Sequence, residues 1–204
     1  MDSNMKISYR PAESSSYELL EVPVQMKLEE LYTTKFCPKI LRESLELDVT
    51  WHERNETTVL KALQSRYLNP AFQAVLLILD AEIRQDSDIF SFEDMVQQKI
   101  KIDPEGILLI HLGQKDKLVG KSAVRLTPSD IPITACYASV TVVNEMINDA
   151  TLILTGVSQS PYLIHDAAKH MIGEKFTESL VAMTVDQVYE SVSPRGDYRG
   201  SAEY

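Results

Sequence analysis

The chain has 204 residues, 44% of them hydrophobic, which is enough to bury the core of one or two domains. Its formal net charge of −10 would repel nucleic acid, and no apolar run approaches the ~20 residues that a membrane span requires. The first residues also lack the basic and then apolar pattern of a signal peptide. We therefore expect a cytoplasmic protein that binds neither nucleic acid nor membrane.

The first third of the chain carries only weak structural signals. Residues 1–20 are rich in serine, and we interpret them as an irregular lead-in. Apolar residues spaced by three and four predict amphipathic helices over residues 26–32 and 57–68. Either Thr57 or Thr58 can cap the second of these helices.

The middle of the chain predicts a buried helix and strands. Pro70 is suited to open a helix, and the apolar residues 71–79 that follow predict a buried helix that leads into a strand over residues 80–84. Ser91 resembles the start of a capping box for a short helix that ends at residue 98. The apolar run at residues 107–112 lies between two glycines and predicts a buried strand.

From residue 131 the hydrophobic pattern changes to a period of two. This alternation predicts a long strand that is largely covered on both faces. Asn148 and Asp149 indicate a turn, after which residues 150–157 return as an antiparallel partner.

Helices are expected to follow this pair of strands. Ser160 and Pro161 resemble the cap and first residue of a helix that Gly173 ends. Residues 177–183 and 184–192 predict two further helices, the second of which begins at a capping box of Thr184 and Gln187. The C-terminal part is therefore predicted to be an α+β module in which helices cover an antiparallel sheet.

Few side chains form patterns typical of chemistry. Cys37 and Cys136 are far apart in sequence, which favours two reduced structural thiols. His111, inside an apolar strand, is interpreted as a hydrogen-bonded core histidine. A possible metal set lacks a third ligand at suitable spacing and is interpreted as a solvated helix face: His165, Asp166 and His170. No nucleophile elbow or P-loop is present, so we predict neither a catalytic residue nor a metal site.

One basic cluster interrupts the acidic chain. Its members are Lys115, Lys117, Lys121 and Arg125. We interpret the cluster as a solvated loop, with a local anion site as the alternative.

Two C-terminal segments carry a family resemblance. The first segment is residues 149–157, followed by Pro161. The second is the end of the chain from Pro194, which reads D-Y-R-G-S-A-E-Y from Asp197 onward. Together they resemble the C-terminal domain of the FAD-binding subunits of molybdenum hydroxylases, the xanthine dehydrogenase and carbon monoxide dehydrogenase group. One glycine of the family's strand motif is replaced by Thr155. The two charges of the last motif, at Arg199 and Glu203, lie four residues apart and could form an ion pair.

The resemblance extends upstream as far as Asn69. Residues 69–95 are similar to a segment of the family's flavin domain, and Lys121 to Ile131 are similar to the family's "K-x-x-x-R … D-I-A" stretch, whose lysine lies beside the flavin. The resemblance therefore implies that Lys121 is a cofactor-binding residue for FAD. It also implies an α+β fold with a truncated FAD-binding domain of the PCMH type in residues 1–113, followed by a CO dehydrogenase flavoprotein C-terminal-like domain in residues 114–204.

The glycines of the chain do not match the family's phosphate-binding loops. The family holds the FAD pyrophosphate on two glycine-containing loops, in which backbone N–H groups converge on phosphate oxygens and a β-carbon would block the approach. All seven glycines of this chain lie at position 106 or later.

Two functional hypotheses follow from the resemblance and the glycine pattern. The first is an oxidoreductase component that passes electrons from iron–sulfur clusters to FAD beside molybdenum-cofactor and iron–sulfur subunits. The second is a cofactor-free interaction or assembly module that has lost FAD binding.

Overall fold

A computed structural model of the chain describes residues 6–10, 18–65, 69–98, 100–114, 116–127, 130–197 and 200–202. The chain divides into two compact units, Met1–Lys115 and Asp116–Tyr204. Each unit has its own sheet, and each is described by itself.

The N-terminal unit contains a five-stranded antiparallel sheet. Its strands are β1 (Ser8–Arg10), β2 (Glu18–Pro23), β3 (Glu82–Gln85), β4 (Asp88–Ser91) and β5 (Ile107–Leu112), arranged in the order β1-β2-β5-β3-β4. The prediction of β5 is confirmed. The prediction of an irregular lead-in over residues 1–20 is wrong, because β1 and the start of β2 lie there. Leu20 and Val22 supply the alternating buried positions of β2, and this pattern is too short to outweigh the serine-rich residues before it.

Six helices accompany this sheet within the described residues. They are α1 (Leu28–Thr33), α2 (Lys39–Asp48), α3 (Trp51–Glu56), α4 (Val59–Gln64), α5 (Pro70–Ile78) and α6 (Phe92–Gln98). Both predicted amphipathic helices exist in shorter form, as α1 and α4. Thr58 caps α4, because its hydroxyl accepts a hydrogen bond from the Lys61 N–H at 3.2 Å. Helices α2 and α3 were not predicted, although α3 begins at a capping box between Thr50 and Glu53.

The central helix α5 is the buried element predicted after Pro70. Pro70 occupies its first turn, and every residue from Ala71 to Ile78 is buried. The strand after it starts at Glu82, because Asp80 adopts a left-handed conformation with φ of 49° that separates helix from strand. The capping box at Ser91 is confirmed, since its hydroxyl accepts a hydrogen bond from the Asp94 N–H at 3.0 Å at the start of α6.

The C-terminal unit contains a four-stranded antiparallel sheet. Its strands are β6 (Lys117–Val124), β7 (Thr134–Val143), β8 (Met146–Thr155) and β9 (Tyr162–Leu163), in sequential order. The interpretation of the basic cluster as a loop is wrong, because Lys117 and Lys121 lie on β6. The predicted turn at Asn148 and Asp149 is also wrong, since both residues belong to β8. The chain reverses at Asn144–Glu145 instead, where both residues have positive φ, as a type I′ turn requires.

Two helices complete this unit: α7 (His165–Met171) and α8 (Glu178–Ser191). Ser160 and Pro161 do not start a helix, because Tyr162 and Leu163 pair with β8 before α7 begins. Gly173 follows the end of α7 with φ of +87°, which confirms its predicted role. The segment predicted as two helices forms one, α8.

The single helix α8 is capped at its true start. Thr177 accepts a hydrogen bond from the Leu180 N–H at 3.2 Å. Thr184, interpreted from the sequence as a second cap, lies inside the helix and donates its hydroxyl to the Leu180 carbonyl at 2.8 Å.

The core of the C-terminal unit lies between one face of its sheet and these helices. Its buried members are Ile147, Leu152, Ile164, Ala167, Ala168, Met171 and Leu180. Ala138 and Val140 of β7 pack against this cluster. The prediction of an α+β fold whose C-terminal helices cover an antiparallel sheet is thus confirmed.

Candidate functional site

The candidate site is built on three neighbouring strands of the C-terminal sheet. Directly opposed residues of antiparallel strands lie on the same face. The register places two rows of residues side by side: Lys121, Tyr137 and Ile153 in one row, and Val119, Ser139 and Thr151 in the next.

This site lies on the sheet face opposite the helical core. Ala138 and Val140 pack against the core cluster, and side chains alternate between faces along β7. Tyr137 and Ser139 therefore belong to the other face. Both are nevertheless buried, with exposed fractions of 0% and 1%, while Lys121 beside them is half-buried.

Ser139 carries a buried polar atom of this sheet face. Its Oγ is buried and has no hydrogen-bond partner among the described residues. Leaving a buried hydroxyl unpaired costs on the order of 1–3 kcal/mol. A lysine can donate to the carbonyl oxygens of a flavin ring, and Lys121 is the half-buried member of these rows, whereas the Ser139 hydroxyl is covered by protein.

The part of the chain before Gly106 contains no glycine loop that matches the pyrophosphate of FAD. No glycine lies before Gly106, so no glycine loop in that part of the chain can bring bare backbone N–H groups to phosphate oxygens. The left-handed backbone positions described there before Gly106 are Asn69, Asp80 and Asp86, each of which carries a β-carbon. The residues described before Gly106 thus lack a conventional phosphate cradle, while Lys121 is a polar side chain of the C-terminal sheet that a ligand can reach.

The histidines behave as the sequence analysis predicts. His111 Nε2 lies 3.0 Å from Glu82 Oε2 on the neighbouring strand β3, so His111 is a hydrogen-bonded histidine of the sheet. His165, Asp166 and His170 lie exposed on α7. The described part of the chain holds no cluster of three His, Cys, Asp or Glu residues that could bind a metal ion.

Both cysteines are free thiols. Burial raises the pKa of Cys37 to about 11, although the nearby Arg42 opposes the shift. Burial also raises the pKa of Cys136. A thiol with a raised pKa is a poor nucleophile, which agrees with their interpretation as structural residues.

In the C-terminal motif, Asp197 and Gly200 form an isolated antiparallel β-bridge. The Asp197 N–H donates to the Gly200 carbonyl at 2.9 Å, and the Gly200 N–H donates to the Asp197 carbonyl at 3.3 Å. A β-carbon at Gly196 would lie 2.9 Å from the Ala202 nitrogen, so this close approach of the backbone requires glycine at position 196. Arg199 and Glu203 lie outside the described residues, and their ion pair stays a prediction.

The family of the C-terminal unit is decided by its sequence. Residues 121–204 match the family described as the CO dehydrogenase flavoprotein C-terminal domain. These residues are similar to that domain family, and the match covers less than half of the chain. The resemblance to the FAD-binding subunits of molybdenum hydroxylases is thereby confirmed, and the matched segment begins at Lys121.

A curated relative of unassigned function supports a likeness along most of the chain. The uncharacterised protein YgfM of Escherichia coli (strain K12) is 26% identical over 186 residues, which make up 91% of this chain and 66% of YgfM. The chain therefore spans slightly less than two thirds of the length of this relative.

Solved structures show that the fold likeness includes the N-terminal unit. Quinoline 2-oxidoreductase from Pseudomonas putida 86 matches 98% of this chain and 71% of its own, with a TM-score of 0.71 and 17% identity. Reconstituted CO dehydrogenase from Oligotropha carboxidovorans matches 98% of this chain and 73% of its own, with a TM-score of 0.74 and 18% identity. The likeness thus extends beyond the segment from Asn69 onward in which the sequence alone shows it.

No helix among the described residues is both long and apolar enough to cross a membrane.

Proposed function

We propose that this chain is an FAD-subunit-like component of a molybdenum hydroxylase. In this role it passes electrons from iron–sulfur clusters to FAD, beside molybdenum-cofactor and iron–sulfur subunits in the cytoplasm. The observation that carries the proposal is the CO dehydrogenase flavoprotein C-terminal domain at residues 121–204, within a chain whose fold matches such enzymes over almost its whole length.

Lys121 is the residue that we propose to lie beside the flavin. It is half-buried on β6 and shares its cross-strand row with the buried Tyr137. Bound flavin would supply the redox chemistry, and the part of Lys121 would be to hold and orient its ring.

A second candidate function is a cofactor-free interaction or assembly module. The observation that favours it is the absence of glycine before Gly106, which leaves the residues present without a conventional pyrophosphate cradle. Such a module would keep the docking role of the C-terminal domain without electron transfer.

A titration with FAD distinguishes the two candidates. We would follow flavin absorbance and fluorescence while adding the purified chain, the Lys121→Ala variant and a matched Lys117→Ala control. Lys117 is also half-buried on the same strand, and four residues away it shares the face of Lys121. The flavoprotein function predicts saturable binding that Lys121→Ala weakens and Lys117→Ala leaves unchanged, whereas absence of binding would favour the assembly module.

A second measurement tests the proposed partners. The chain would be mixed with the purified iron–sulfur and molybdenum-cofactor subunits of a hydroxylase encoded in the same genome, and complex formation measured by size-exclusion chromatography. Both candidate functions predict a stable complex. Separate elution of all components would contradict both.

A further inference from the structure

One face of β6 carries two cationic residues with a small residue between them. Lys121, Ala123 and Arg125 are half-buried, whereas the alternating Ser122 and Val124 are exposed. Side chains alternate between the faces of a strand, and Arg125 directly follows the last residue of β6, so the three half-buried residues share one face. At a rise of about 3.3 Å per residue, the backbones of Lys121 and Arg125 are ~13 Å apart. A ligand that contacts both residues must therefore be elongated, and the small side chain of Ala123 leaves room for it.

The other direction along this face is less suited to an anion. Lys117 is also four residues from Lys121, but it shares its cross-strand row with Asp149, which is exposed. A phosphate group beside Lys117 would therefore meet a carboxylate on the same face. Between Lys117 and Lys121 the face also carries the larger Val119 in place of an alanine.

The Arg125 end of the sheet is more favourable to an anion. Among the residues described at this end of β6, β7 and β8, the charged ones are Arg125 and Asp130. Asp130 is exposed, and its Oδ2 accepts a hydrogen bond from the Thr127 N–H at 2.9 Å. The Arg125 guanidinium has several N–H donors in a planar arrangement that matches phosphate oxygens. It can therefore bind an anion alongside a protein partner.

These two cations match the two polar ends of the riboflavin phosphate half of FAD. That half has ring carbonyl oxygens at one end and a phosphate group at the other, and a ribityl chain joins them. Its extended length is comparable to the separation of Lys121 and Arg125. Because the chain before Gly106 has no glycine loop, a guanidinium would bind the phosphate oxygens that backbone N–H groups bind in a conventional cradle.

We propose that Arg125 binds the ribityl phosphate of a flavin nucleotide whose ring lies beside Lys121. The assignment rests on the proposed function, because it requires that the chain binds flavin. It locates the anion site in the C-terminal unit, after the glycine-free part of the chain.

The test separates the phosphate from the ring by comparing riboflavin, FMN and FAD. Each ligand is titrated with the purified full chain, and binding is followed by flavin fluorescence. We expect FMN and FAD to bind at least about tenfold more tightly than riboflavin, because only they carry the phosphate that Arg125 binds. Added salt should weaken the binding of FMN more than that of riboflavin.

Variants assign this difference to Arg125. Arg125→Gln should lower the affinity for FMN and FAD by about tenfold or more and leave the affinity for riboflavin within about twofold. Arg125→Lys should keep part of the affinity for FMN, because lysine retains the charge but not the planar donor arrangement. Lys121→Ala should weaken the binding of all three ligands, and the matched control Lys117→Ala should change none. Circular dichroism and thermal unfolding check that each variant is folded.

The outcomes separate this inference from the proposed function. If riboflavin binds as tightly as FMN, or if folded Arg125→Gln binds FMN as the wild type does, Arg125 is not the phosphate site, while flavin binding by the chain stands. If inorganic phosphate alone binds as tightly as FMN and Arg125→Gln abolishes both, the residue belongs to a general anion site, and its assignment to flavin is overturned. If the wild-type chain binds none of the three flavins, the flavoprotein function and this inference both fail.

Discussion

Gly156 shows how a single residue of the C-terminal domain can be required by backbone geometry. It follows β8 with φ of +87°, and a β-carbon there would lie 2.0 Å from the Ile133 carbonyl oxygen. The neighbouring Thr155, which replaces a glycine of the family motif, pairs with Ala135 as an ordinary strand residue. The strand therefore tolerates a side chain at position 155 and not at 156.

We predict that Gly156→Ala destabilises the chain by more than the ~1–2 kcal/mol that left-handed strain alone costs, because Ile133 must also move. Gly173→Ala is the matched control, since Gly173 has the same φ of +87° and open space around its β-carbon position. Urea unfolding of both variants measures the difference. Equal losses of stability would show that the contact with Ile133 is absent.

Glu21 is a residue whose charge supports the N-terminal sheet. Burial opposes its ionisation, but the Ser8 hydroxyl and the Arg10 and Arg84 guanidinium groups outweigh burial and lower the pKa of Glu21 below its ordinary value of 4.5. Its Oε1 lies 2.9 Å from Arg10 and 3.2 Å from Arg84. The ionised carboxylate is therefore the form that the folded state favours.

We predict that this contribution is present above pH 4.5 and is lost as the pH falls through the lowered pKa of the folded state. Glu21→Gln should be less stable than wild type near neutral pH, and the difference should shrink in acid. Unfolding free energies measured from pH 7 down to about pH 3 test this linkage. A difference that stays constant over this range would contradict it.

At the scale of elements, the two-residue turn between β7 and β8 has a left-handed backbone conformation at both positions. Asn144 and Glu145 both have positive φ, at 51° and 66°. Asparagine tolerates this region, whereas glutamate does so only with strain. Glu145 also forms an exposed ion pair with Lys175 at 2.9 Å.

We predict that Glu145→Gly stabilises the chain by about 0.5 kcal/mol, since relief of left-handed strain exceeds the added flexibility of glycine. Glu145→Ala is the control, because it removes the same exposed ion pair but keeps the β-carbon. It should change stability little. Thermal unfolding of the two variants measures both effects, and a loss of stability in Glu145→Gly would mean that the ion pair outweighs the strain.

Local sequence signals were reliable for some elements and not for others. Pro70 and Ser91 mark real helix starts, since both act through contacts within one turn of their own helix. Ser160 and Pro161 offer the same local signal, yet Tyr162 and Leu163 pair with β8 instead. A capping signal is short-range and can be overridden by pairing with a distant strand.

At the scale of the whole molecule, net charge restricts the partners. The formal charge of −10 is distributed over a chain with 30 acidic and 20 basic residues. The remaining alternative for its basic cluster is a local anion site on β6, where Lys117 and Lys121 share one face.

We predict that the chain is not retained on heparin at low salt, because the field of the whole molecule opposes polyanions. Lys117→Ala and Lys121→Ala should then elute as wild type does. Retention of the wild-type chain that Lys117→Ala abolishes would instead establish the anion site on β6.

The sequence by itself was sufficient for the family of the C-terminal domain, the α+β class and the uneven distribution of glycine. Those features depend on residue identity and on short-range periodicity, which can be read without knowing distant contacts. Only the tertiary structure decided that Lys121 shares a sheet face with Tyr137 and lies next to the row of Ser139. It alone also decided that α8 is one helix and that its Val181, Val185 and Tyr189 remain exposed. Strand register and burial are set by partners far away in the chain, so no local pattern could specify them.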